Sequence, residues 1–132
     1  MMARRRSVAF AVMTAAFLVA GCGGSSTPAQ TPPASGDPVG PTVALGAQDI
    51  AFDTAELHVA ANEPFTIVFD NREAVPHNVS IDRSDGVAAR VFEGAVFSGP
   101  ATRWYAVPGL AAGAYAFLCQ VHPSMTGRLI AA

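Results

Sequence analysis

Lysine is absent from this sequence of 132 residues, and cysteine, tryptophan and long apolar runs are scarce. Positive charge comes only from eight arginines, three of which stand at positions 4–6. Beyond residue 21 the chain therefore has five arginines against ten acidic residues, a formal charge of −5. Nucleic-acid binding requires a basic face, so this balance argues against that class of function. It favours a neutral or cationic partner through long-range electrostatic steering.

The one long apolar run lies near the start of the chain. Residues 7–20 are uncharged, a length that is typical of a secretory signal and too short to span a bilayer as a mature helix. The run ends in "VAGC", and small residues before Cys22 resemble the lipobox of bacterial lipoproteins. We predict that residues 1–21 are a lipoprotein signal peptide and that Cys22 is lipidated. The alternative is an ordinary signal peptide in which the cysteine stands by chance.

The next segment has the composition of a linker. Pro, Gly, Ser and Thr dominate residues 23–41, and no apolar periodicity is present. We predict that residues 22–41 are a lipidated cysteine followed by a flexible tether. The protein would then be anchored to a membrane on the exported side of the cell, periplasmic or extracellular.

From Thr42 onwards, short alternating segments are separated by turn residues, which predicts strands and no amphipathic helix. We therefore predict one all-β domain over residues 42–132, a Greek-key β-sandwich of about seven to eight strands. Residues 84–100 are expected to form a loop with a short strand or helical turn. Trp104 and Tyr105 are expected in the core. The candidate strands are residues 42–49, 55–61, 65–71, 77–82, 102–107, 113–119 and 126–132.

The remaining cysteine lies in an unusual segment, "FLCQVHPSMTG", residues 117–127. Cys119 has no intramolecular partner when Cys22 is lipidated, and a lone thiol is a liability in an oxidising compartment. Met125 is the only methionine beyond the predicted signal. With His122 these residues form a C-x2-H-x2-M pattern.

Period-2 geometry directs a second histidine toward the same interior. His77 shares a strand face with Val79 and Ile81, and Cys119 shares one with Tyr115 and Phe117. Burying an imidazole and a thiol costs free energy unless each finds a partner. One shared metal ion would supply both partners.

The candidate ligands are therefore His77, Cys119, His122 and Met125. Two imidazoles, a thiolate and a weak thioether are the ligand set of a blue-copper electron-transfer site. The thiolate and thioether suit Cu(I), and imidazole suits both oxidation states. We predict that the chain binds one copper ion that cycles between Cu(I) and Cu(II).

Two segments, "VPHNVSID" and "CQVHPSMTG", resemble the cupredoxins, the small blue-copper proteins of the plastocyanin and amicyanin type. The short gap between His122 and Met125 is closer to the amicyanin type. The resemblance covers roughly residues 42–132. It implies that both histidines supply ring nitrogens, that Cys119 supplies the thiolate and that Met125 supplies the axial sulfur.

The same resemblance gives roles to the neighbours of the ligands. Pro76 and Asn78 flank the first histidine, and Asn78 is expected to tie the two ligand segments together. Pro123 is expected to stiffen the loop because proline fixes φ and lacks an N–H. Electrons are expected to pass through the exposed edge of His122, within an apolar patch that includes Pro76, Val121 and Pro123. The implied partner is a redox protein of the cell envelope, with the chain itself a monomer.

Other interpretations of the cluster remain open. Cys119 can be an inert core cysteine, since free cysteines are often buried. A structural zinc site is a second alternative, although methionine is not a usual zinc ligand. A cysteine nucleophile with a histidine base is a third, but the sequence shows no oxyanion hole, so no enzymatic activity is expected. His58 alternates with Leu57 and Val59 and is expected on the solvent face.

Copper binding itself allows more than one function. An electron carrier should cycle reversibly between oxidation states. A protein for copper capture or delivery should hold Cu(I) and hand it over, and an accessory metal-binding domain of an envelope complex is a further possibility. The full set of two histidines, cysteine and methionine favours the electron carrier.

Overall fold

The computed structural model describes residues 37–84 and 89–132. The predicted signal peptide and Cys22 lie outside these residues. Over the described ranges the chain is all-β, and no helix there is long and apolar enough to cross a membrane. Eight strands have four residues or more, in agreement with the predicted seven to eight. The strands are β1 Thr42–Gln48, β2 Ala51–Phe52, β3 Glu56–Val59, β4 Phe65–Asn71, β5 Pro76–His77, β6 Ser80–Arg83, β7 Arg90–Glu93, β8 Phe97–Ser98, β9 Ala101–Val107, β10 Gly113–Leu118 and β11 Thr126–Ala131.

Two sheets form the sandwich. One has the order β2-β1-β4-β9 and the other β3-β11-β10-β6-β7, while β5 and β8 form a separate short ladder. The β1–β4 and β3–β11 pairs are parallel, and the other described pairs are antiparallel. The chain crosses repeatedly between the sheets, and the predicted Greek-key β-sandwich is confirmed.

Strand alternation fills the space between the sheets. Phe65, Ile67 and Phe69 of β4 are buried as predicted, and the ring of Phe69 packs edge-on against Phe97 with centroids 5.7 Å apart. The other core residues come from the inner faces of both sheets and from the segments that connect the strands. They are Leu45, Ala47, Leu57, Val79, Ile81, Tyr105, Val107, Leu110, Tyr115, Phe117, Cys119, Met125, Leu129 and Ala131.

Two details differ from the sequence prediction. Trp104 is 47% exposed, because its neighbour Tyr105 takes the inward position and adjacent strand residues point to opposite faces. The predicted strand 77–82 is divided into β5 and β6, with Asn78 and Val79 outside either ladder. The Val79 carbonyl accepts a hydrogen bond from Gly94 N–H instead. The predicted short strand in residues 84–100 is present as β7 and β8, and residues 85–88 of that segment lie outside the described ranges.

The two ends of the sandwich hold different segments of the chain. One end of the sandwich holds the last residues of β4 and β10 and the first residue of β11. The segments that follow Asn71 and Leu118 therefore meet at that end. At the opposite end the residues before β1 are fastened to β4. The buried Thr66 hydroxyl accepts from Val39 N–H at 2.7 Å and donates to Val39 C=O at 2.9 Å.

A substitution at Gly127 tests the packing near the end of the sandwich where the segments after Asn71 and Leu118 meet. It lies opposite Phe117 in the β10–β11 ladder, and a Cβ at Gly127 would overlap the buried Phe117 ring. We expect Gly127→Ala to destabilise the metal-free protein by about 1–3 kcal/mol, the usual cost of overpacking. Urea unfolding measures this change, with exposed Ala114→Ser as the control. Equal stability of the two variants would show that the Phe117 ring can move aside.

Candidate metal centre

His77 enters the site from the short β5 strand. The residue is fully buried, and its backbone pairs with Phe97 of β8. Its Nδ1 faces the thiol of Cys119 at 3.7 Å. The inward orientation predicted from strand alternation therefore holds for this side chain.

The loop between β10 and β11 brings the other candidates into place. The last pair of the β10–β11 ladder is Leu118 with Thr126, so a loop of seven residues connects the two strands. Cys119 N–H donates to Met125 C=O at 3.0 Å, and Met125 N–H donates to His122 C=O at 2.9 Å. These bonds put Cys119 and Met125 in the interior, while His122 lies half-buried at the tip.

Three ligand atoms converge at one point. Cys119 Sγ lies 3.9 Å from His122 Nδ1, and the two histidine Nδ1 atoms are 3.2 Å apart. A metal ion in their plane, about 2.0 Å from each nitrogen and about 2.3 Å from sulfur, would need N–S separations of roughly 3.7 Å and an N–N separation of roughly 3.5 Å. The observed spacings match this arrangement. Among the described residues, His77, Cys119 and His122 form the one cluster of His, Cys or acidic residues with metal-binding geometry.

Asn78 joins the two ligand-bearing segments. Its Oδ1 accepts from Gln120 N–H at 2.9 Å, and its Nδ2 donates to Gly94 C=O at 2.9 Å and to Gln120 Oε1. Asn78 is fully buried, so these bonds replace water completely. The side chain thereby fixes the distance between His77 and Cys119, which flank these contacts in the sequence.

Glu73 was missed by the sequence analysis. Its Oε1 lies 2.6 Å from His77 Nε2, on the side of the ring opposite Nδ1. A carboxylate here accepts a hydrogen bond from His77 Nε2–H, and the proton on Nε2 leaves the Nδ1 lone pair free for a metal. The only signal in the sequence was an acidic residue four positions before the histidine, which has no meaning until the turn after β4 is known.

The remaining candidates occupy peripheral positions. Pro76 lies on β5 and Pro123 follows His122, both exposed at this end of the sandwich. Val121, also in the loop, is 41% exposed. His58 is far more exposed, at 70% of its side chain, and pairs with Glu56 at 2.9 Å, so the solvent-facing prediction is confirmed.

Known proteins are similar to this chain in sequence and in fold. A family model described as a cupredoxin-like domain matches residues 10–131. Amicyanin-alpha from Methylorubrum extorquens is 32% identical over 127 residues, covering 95% of this chain and 98% of the relative. Amicyanin from Paracoccus denitrificans is 29% identical over 130 residues, covering 95% and 93%. The solved structure of auracyanin A from Chloroflexus aurantiacus, a "blue" copper protein, aligns with a TM-score of 0.59 and 26% identity over 70% of this chain and 100% of that chain.

The link through Asn78 can be tested without any metal. We expect Asn78→Ala to destabilise the metal-free protein by about 1–3 kcal/mol, because Gln120 N–H and Gly94 C=O lose a buried partner. Gln120→Ala is the matched control, since it keeps the backbone bond to Asn78 and should cost less. Unfolding by urea gives both values. An equal or larger loss of stability in Gln120→Ala would show that the Gln120 side chain, rather than Asn78, connects the two segments.

Proposed function

This chain belongs to the cupredoxin-like family, and from that premise we propose that it is a membrane-tethered type 1 copper protein that carries electrons in the cell envelope. Among the similar proteins, auracyanin A is described as a "blue" copper protein. The observation that carries the proposal is the convergence of His77, Cys119 and His122 with spacings that fit one metal ion. Copper bound there supplies a one-electron couple between Cu(I) and Cu(II).

Each side chain has a defined task in this proposal. His77 and His122 offer their Nδ1 atoms and Cys119 offers its sulfur. Met125, the last residue of the loop, is 2% exposed and is the candidate for the axial thioether. A thioether is a weak ligand, so in this role it would leave Cu(II) short of its preferred donors and would favour reduction.

The route for electrons is the tip of the ligand loop. His122 is the candidate ligand that reaches the surface, whereas His77 and Cys119 are fully buried. Apolar side chains are exposed at the same end, namely Val121 in the loop and Val96 just before β8. Together with Pro76 and Pro123 they offer a partner protein an uncharged contact surface close to the ring.

Burial of the ligands favours electron transfer over copper delivery. A delivery protein must expose its metal to the ligands of an acceptor. Here three of the four candidates are at most 2% exposed, and Asn78 holds their segments together. Releasing the ion would require the loop to open, whereas an electron leaves through His122 with the loop closed.

The membrane tether rests on sequence alone. Arg4–Arg6, the uncharged residues 7–20 and "VAGC" support a lipidated Cys22 on the exported side of the cell. The composition of residues 23–41 supports a flexible connection between that cysteine and the sandwich.

Copper loading tests the metal site. We expect residues 37–132 to bind one copper ion and to turn blue on oxidation, through charge transfer from the Cys119 sulfur to Cu(II). Optical and electron-spin spectra, followed by a reversible redox titration, measure this. A colourless copper complex with an intact thiol would exclude a type 1 site.

Two substitutions separate the two sulfur ligands. Cys119→Ser should abolish the blue colour, because the thiolate is its source. Met125→Leu should keep the copper and the colour and raise the reduction potential, because the axial donor to Cu(II) is lost. Loss of colour in both variants would contradict the axial role of Met125.

The anchor has a separate test in cells. Cys22→Ala should move the protein from the membrane fraction to the soluble fraction, because no acyl chain can then be attached. Cys119→Ser is the matched control and should remain in the membrane fraction. A Cys22→Ala protein that still sediments with membranes would remove the lipid anchor from the proposal.

A further inference from the structure

The turn between β1 and β2 has an unusual backbone. Asp49 and Ile50 connect the paired residues Gln48 and Ala51, with φ angles of 55° and 56°. Two-residue hairpin turns with both central residues left-handed normally contain Asn, Asp or Gly. A β-branched residue at positive φ is a genuine outlier, and such strain persists only where the surroundings impose it. Packing does not explain it, since Ile50 is 46% exposed.

Hydrogen bonds join this turn and its strand to the segment after β4. Ile50 N–H donates to Glu73 Oε1 at 3.1 Å. On the adjoining strand, Arg72 N–H donates to Ala47 C=O at 3.0 Å, so the turn and the segment after β4 are joined at two points.

The same carboxylate oxygen contacts the metal centre. Glu73 Oε1 is also the atom that lies 2.6 Å from His77 Nε2. The hydrogen bond from Ile50 N–H, and to a lesser extent the one from the His77 ring, lowers the pKa of Glu73 below its ordinary value. Glu73 is placed by its own backbone as well, through N–H to Asn71 Oδ1 at 3.1 Å and through C=O from Gly99 N–H at 3.0 Å.

We infer that the left-handed Asp49–Ile50 turn is a positioning element of the metal centre, in which Ile50 N–H fixes the Glu73 carboxylate and the carboxylate fixes the His77 ring. The chain of contacts runs from turn backbone to Glu73 Oε1 to His77 Nε2, and it leaves Nδ1 directed at Cys119 Sγ. Ile50 acts through Glu73 and touches no ligand itself. The inference rests on the proposed function only where copper affinity is measured.

The test begins with metal-free, ¹⁵N-labelled protein. Inserting one glycine between Asp49 and Ile50 lengthens the loop and removes the Ile50 N–H from Glu73. We expect the His77 Nε2–H signal to exchange with water about tenfold faster or more, the equivalent of one lost hydrogen bond. The control is the pair Asp49→Asn and Ile50→Gly, which suits a left-handed turn; it should raise the melting temperature and leave the signal unchanged.

A second variant covers the possibility that the insertion does not fold. Replacing Ile50 by its α-hydroxy acid puts an ester in the backbone, which removes the N–H and keeps the length and side chains of the turn, and the same faster exchange is expected. In a Glu73→Ala background neither change should have any further effect, because contacts in one chain are not additive. Unchanged exchange of His77 Nε2–H in the folded ester protein would overturn the inference.

Copper affinity gives the linked readout. Glu73→Ala should lower it by about 10–100-fold, the usual cost of losing the partner of a histidine ligand, and the ester should lose part of that factor. Faster exchange in the metal-free ester protein supports the positioning role even where no blue copper site forms, which would count against the proposed function alone. An ester protein with normal exchange and a normal blue site would leave that function intact and overturn the inference.

Discussion

The metal centre depends on joining two segments that are 42 residues apart in the chain. The β6–β10 ladder runs out at Ser80 opposite Leu118, one step before the ligands. In the same antiparallel register the next pairs would be Val79 with Cys119 and then Asn78 with Gln120. At the second of these positions the Asn78 side chain takes the place of a backbone carbonyl by accepting from Gln120 N–H. The sheet is thus extended by a side chain, so that Cys119 lies beside His77 where the backbone itself has begun to diverge.

That extension accounts for a closed polar cluster inside an apolar sandwich. Among the described residues, no buried side-chain nitrogen or oxygen lacks a hydrogen-bond partner. Satisfied networks of this kind rigidify a core, whereas partly satisfied ones destabilise it. These hydrogen bonds therefore hold the three candidate ligand atoms at the observed spacing. A site held in this way would need little rearrangement when the charge on a bound metal changes, which is the requirement for rapid electron transfer.

Local chemistry made much of this predictable from sequence. The β4 strand matched the alternation of Phe65, Ile67 and Phe69, and the inward direction of His77 followed from the same rule. Glu73 and the division of β5 from β6 were not predictable in this way. The contact of Glu73 with His77 depends on the turn after β4, and the division depends on bonds of Asn78 and Val79 to Gly94. Neither leaves a period in the sequence. Trp104 was misplaced because two adjacent aromatics cannot both face inward on one strand, and composition does not say which one does.

Parallel pairing of β1 with β4 separates the two ends of the molecule. Val39 is fastened to Thr66 at the start of these strands, and the seven residues of β1 extend for roughly 23 Å from there toward the metal centre. The chain therefore enters the sandwich at one end and holds its candidate ligands at the other. In the proposed anchored form, the tether would join the sandwich at the end opposite His122. The exposed edge of His122 would then remain accessible to the partner protein.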